Sequence, residues 1–92
     1  MARKRGWNRL VDDVIDFIAM RRERQVPAET VVEAFEREGE DGITVWDVLS
    51  YCATHDILSW SMDPKGRKVV EMAASLKRAM RSYLLGEKEE AV

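Results

Sequence analysis

Residues 43–72 read ITVWDVLSYCATHDILSWSMDPKGRKVVEM, and two local patterns in this stretch decide the architecture. The second is the sharper. Asp63-Pro64-Lys65-Gly66 places Asp first, Pro second with its φ already set, and Gly last, as a type I turn asks. With Gly66 left-handed, as in a three-residue hairpin loop with a bulge, Asp63 pairs with Arg67. Met62 then opposes Lys68, Trp60 opposes Val70 and Leu58 opposes Met72 on a mostly apolar face. Ser61 with Val69 and Ser59 with Glu71 share the mostly polar one. A shift of one residue would set Glu71 against Leu58, so this pairing is the one expected.

The first pattern is a helix. Thr44 reads as its N-cap, Asp47 completes a capping box, and Ile43 is placed to staple onto Val48. Val45, Val48, Leu49 and Cys52 follow at the spacing of a buried stripe. Trp46, Asp47, Ser50, Tyr51, Thr54 and His55 are left to face elsewhere.

Upstream, Leu10, Val11, Val14, Ile15, Phe17 and Ile18 make a broad apolar helix face opposite Asp12, Asp13 and Asp16. Arg21, Arg22 and Arg24 crowd its end, where positive charge complements the helix dipole. Gln25-Val26 suits a short strand. Pro27 suits the first turn of a second helix with Ala28, Val31, Val32 and Phe35 inward, a Glu33–Arg37 pair outside and Gly39 as its stop. Downstream, residues 73–85 predict a last helix with Ala73, Leu76, Met80, Tyr83 and Leu84 on one side and Lys77, Arg78 and Arg81 on the other. It either lies back on the first helix or pairs with its copy in another subunit.

The expected fold is thus mainly α with a small hairpin, an α+β arrangement in the order helix, short strand, helix, turn, helix, strand, turn, strand, helix. That order and patterning over roughly residues 8–72 resemble the winged helix-turn-helix superfamily, and the added helix is similar to small dimeric winged-helix regulators of archaea and archaeal viruses. The run from Gly42 to Trp60 also looks like the winged-helix ends of replication and transcription factors. The resemblance implies duplex DNA as the partner, transcription regulation as the role, and homodimers. The chain divides accordingly into a basic arm over 1–7, a winged-helix unit over 8–72, a dimerising helix over 73–86 through Leu76, Met80, Tyr83 and Leu84, and a charged tail over 87–92.

Composition bounds the rest. Ninety-two residues, 46% of them hydrophobic, support one modest core. The lone Cys52 allows no internal disulfide and falls on the apolar stripe, where an inert thiol is the simple reading. His55 has no companion for a metal site. No apolar run approaches a membrane span and Asp12, Asp13 and Asp16 interrupt any leader-like start, so a soluble cytoplasmic protein without cofactor, metal or membrane partner is expected. With no glycine-rich phosphate loop and no spaced Ser, His and Asp set, no catalysis is expected.

The net charge of −2 conceals a division. Arg3, Lys4, Arg5 and Arg9 make the start positive, and Lys65, Arg67 and Lys68 make the hairpin tip positive. Residues 27–41 are acidic, with Glu29, Glu33, Glu36, Glu38, Glu40 and Asp41 against Arg37. No Lys or Arg lies between Ile43 and Met62, although these are the commonest readers of guanine. The candidate nucleic-acid contacts are therefore Arg3, Lys4 and Arg5 in the arm, Trp46, Ser50, Tyr51, Thr54 and His55 on the third helix, and Lys65, Arg67 and Lys68 at the tip. The alternative is a protein adaptor, using the acidic second helix and exposed Trp46 and Tyr51. Trp60 alternates into the core face, and Trp7 either packs under the last helix or follows the arm.

Overall fold

The computed structural model describes residues 5–86. The described residues form four helices, α1 (Trp7–Met20), α2 (Ala28–Glu36), α3 (Gly42–Thr54) and α4 (Ala74–Leu85), and a three-stranded antiparallel sheet of β1 (Gln25–Pro27), β2 (Ser59–Met62) and β3 (Lys68–Glu71). The sheet order is β1-β3-β2. This mixed α+β order is the one the residue patterns predict. No helix among the described residues is long and apolar enough to cross a membrane.

The hairpin has the expected register. Ser59, Trp60, Ser61 and Met62 oppose Glu71, Val70, Val69 and Lys68. Gly66 is left-handed at φ 82°, its N–H donates to the Asp63 carbonyl at 2.9 Å, and the Asp63 N–H donates to Arg67 at 2.9 Å. Val69, on the nominally polar face, is nonetheless buried beside Ser61 and Pro27. Pro27 closes β1 ahead of α2 instead of entering the helix. On this edge strand its missing N–H leaves no gap in the ladder.

Leu10, Val14 and Ile18 of α1, Val31 and Phe35 of α2, and Val45, Val48, Leu49 and Cys52 of α3 meet Val26, Val70 and Met72 in one core. Each fully buried Val or Leu contributes about 1.5–3 kcal/mol by leaving water. Burial pushes the Cys52 thiol up to about 11, which keeps it protonated and inert. The Glu33–Arg37 pair does not form among the described ion pairs.

The start of α3 corrects the sequence reading. Asp41, not Thr44, is the N-cap: its Oδ2 accepts from the Thr44 N–H at 3.2 Å and the Thr44 hydroxyl at 3.1 Å. Both residues offer an oxygen to the free N–H groups, but a carboxylate also meets the positive end of the helix dipole. The helix consequently begins earlier. Asp47 lies beyond the first turn and plays no capping part, and Ile43 is 73% exposed instead of stapled on Val48.

The last helix takes the intramolecular course. Leu76 and Met80 pack onto the core side, and the Lys77 ammonium donates to the Glu23 carbonyl at 2.7 Å. No α4 residue is fully buried, and Tyr83 and Leu84 remain 64% and 37% exposed. Gly86, left-handed at φ 74°, closes the helix.

Candidate nucleic-acid interface

Helical spacing puts Ile43, Asp47, Ser50 and Thr54 on one stripe of α3, directly opposite Val45, Val48, Leu49 and Cys52. All members of the stripe are exposed. Two aromatic groups flank it. On the hairpin side, Trp46 stacks on Trp60 with centroids 6.0 Å apart at 19°, and the Lys68 ammonium sits 5.4 Å from the Trp60 ring. On the other side, Tyr51 leans on His55 at 4.3 Å and takes an edge contact from Trp7 at 5.7 Å. Trp7, already part of α1, therefore neither goes under α4 nor leaves with the arm.

The hairpin tip is built on Asp63. Its Oδ1 accepts from the Lys65 and Arg67 N–H groups, each at 2.9 Å, and Oδ2 accepts from Arg67 Nε at 2.8 Å. The Arg67 backbone N–H, with the other donors, holds the carboxyl below the usual carboxylate range. A depressed folded-state value means stabilisation that is complete above the unfolded value and disappears as pH falls through the folded one. Acid is therefore expected to loosen the tip, and Asp63→Asn to abolish the part of the acid dependence that reports on residues 63–67, read by amide exchange at Arg67. An unchanged acid profile in that variant would contradict the arrangement.

Of the candidate cations, Lys65 and Lys68 are exposed and Arg67 shares its charge with Asp63. Arg3 and Lys4 lie outside the described residues. Arg5 is withdrawn from any partner. Its guanidinium bonds Asp13 at 2.6 Å, Glu40 at 2.9 Å and Glu38, its N–H donates to Glu40 at 3.1 Å, and it stacks over Phe35 at 5.3 Å. Glu38, with Glu40 and Asp13, raises the Arg5 pKa further above its ordinary value. The arginine read as part of a free arm is thus a clasp between α1 and the turn before α3. It also takes Glu40 out of the acidic surface, while Glu38 stays half exposed there.

The structure brings together Trp46 and Lys68 through Trp60, and Tyr51 with His55, while Ser50 and Thr54 stand between these two groups. Ile43 joins the outward stripe because the cap is Asp41, whereas a cap at Thr44 would have set it against Val48. Asp41, three residues before Thr44, was the available signal. No group of His, Cys, Asp and Glu among the described residues is placed to hold a metal ion.

No family model, curated protein or solved structure matches this chain.

Proposed function

We propose that this chain is a winged helix that binds duplex DNA, with α3 entering the major groove, the β2–β3 hairpin acting as the wing, and transcription regulation as its role. The observation that carries the reading is the Lys68–Trp60–Trp46 stack, which ties the positive hairpin to the flank of the exposed α3 stripe. Ser50 and Thr54 supply hydroxyls for base edges, and Lys65, Arg67 and Lys68 meet flanking phosphates. The stripe lacks cations, so discrimination rests on single contacts worth about 1–3 kcal/mol each, and affinity falls steeply as salt rises. Fluorescence anisotropy with a short duplex at low salt tests this directly. No detectable binding would remove it.

A homodimer is part of the proposal. Leu76 and Met80 are partly used within the monomer, so a second copy has the exposed parts of Tyr83 and Leu84 to cover, on a groove that Ile15, Ile57, Asp12 and Asp16 also line. Sedimentation that gave only monomer at working concentrations would exclude it.

One observation favours the adaptor reading. Ile43 and the Trp7–Tyr51 pair leave apolar surface open on and beside α3. This reading requires a protein partner whose binding is lost with Trp46→Ala and Tyr51→Ala while duplex binding is absent.

A further inference from the structure

We propose that a second surface of this molecule, formed by α4 and the segment joining α1 to β1, binds the phosphate backbone of duplex DNA without regard to sequence. The cations are Lys77, Arg78 and Arg81, which line one groove of α4, with Arg22 and Arg24 on either side in sequence of the Glu23 that Lys77 reaches. Arg21 and Glu23 pair with each other at 2.5 Å, and among the described residues Glu71, 3.3 Å from Arg24, and Glu23 are the carboxylates that act on the group. Glu23 and Lys77 tie the two segments together, because the Lys77 ammonium reaches the Glu23 carbonyl at 2.7 Å. A shallow groove lined by Ala74, Lys77, Arg78, Arg81 and Ser82 runs along the outer side of α4.

This concentration stands out in a chain of net charge −2. It is stronger than the one at the hairpin, where Asp63 offsets Arg67 and Asp47 stands on the neighbouring stripe. Arg21, the C-cap of α1, stands at the negative end of that helix dipole and over the Phe17 ring at 5.5 Å, so it stays outside the group. Removal from water, then the charge of Arg81, holds Lys77 below the usual lysine range, against the opposite pull of Glu23 and Glu71.

The chemistry selects the partner. Arg78 and Arg81 stand three residues apart on a rigid helix, and guanidinium forks match phosphate oxygens. The surface projects no helix or ribbon into a groove, so it reads charge and not bases. Its groove has no aromatic ring on which unpaired bases would stack, which favours duplex over single strand. The surface lies apart from α3, because α1 packs against both α3 and α4 while those two helices make no substantial contact with each other.

The test is a salt titration of a mixed-sequence duplex against wild type, Arg78→Gln with Arg81→Gln, and a hairpin variant with Lys65, Arg67 and Lys68 changed to Gln. The α4 variant is expected to keep its melting temperature, to bind every sequence more weakly, and to lose about 1.8 from the slope of log K against log salt, at roughly 0.9 per phosphate contact. Arg78→Lys with Arg81→Lys is expected to restore the slope. Wild-type binding by the α4 variant would overturn the inference and leave the α3 reading standing. Wild-type binding by the hairpin variant, with loss in the α4 variant, would sink the α3 reading and support this one. Wild-type protein that ignores duplex but binds phosphatidylglycerol vesicles would overturn both.

Discussion

Arg5→Met is expected to destabilise the fold by about 3 kcal/mol, the low end for removing one partner of a buried ion pair. The reason is Glu40. Its side chain is 4% exposed, and its carboxylate faces the Arg5 guanidinium and the Arg5 N–H. The backbone donor survives the substitution and Arg5 keeps a quarter of its surface in water, which places the cost at the low end. For a domain of this size each kcal/mol moves the melting temperature roughly 4–8 °C, so a fall of more than 10 °C is expected. Replacing Glu40 by Met in the same chain removes the stranded charge, so the double variant should be more stable than the sum of the single losses predicts. Thermal unfolding of the four proteins measures this. An Arg5→Met melting point within about 2 °C of wild type would show that the clasp contributes little.

The second large effect concerns binding. Changing Lys65, Arg67 and Lys68 together to Gln should weaken duplex affinity by between about 50- and 500-fold near 0.1 M salt, since each phosphate contact carries roughly 0.9 of slope. The range runs from two phosphate contacts to three, because Arg67 already bonds Asp63. The stacking of Lys68 on Trp60 makes a structural contribution as well, so the melting temperature of the variant must be read alongside. Affinity unchanged by the triple substitution would mean that the hairpin does not touch DNA.

Which parts of this molecule could be read from residues follows from the range of the interactions. The hairpin was readable to the residue, because Asp63, Pro64 and Gly66 act on their own turn and a one-residue slip would bury Glu71. Element order and the apolar stripes were equally local. The α3 cap was misplaced by three residues because Asp41 and Thr44 are both good caps, and only the tertiary arrangement of the preceding turn chooses between them. The Arg5 clasp joins residues 33 and 35 positions apart, and no local pattern announces it. In the candidate interface, Ser50, Thr54 and the hairpin cations fall where their spacing puts them. Arg5 does not, and Ile43 joins them. The polar and apolar sides of α4 were visible, whereas the docking of α4 against the segment that carries Arg22 and Arg24 rests on the long-range Lys77 contact with Glu23.

The central claim is that α3 and the hairpin meet DNA as one surface. Amide chemical-shift mapping during titration with a short duplex tests it most directly. The largest shifts are expected at residues 43–54 and 63–68, with a smaller, sequence-independent set at 77–81. Shifts confined to 77–81, or spread over α2 with α3 untouched, would contradict it.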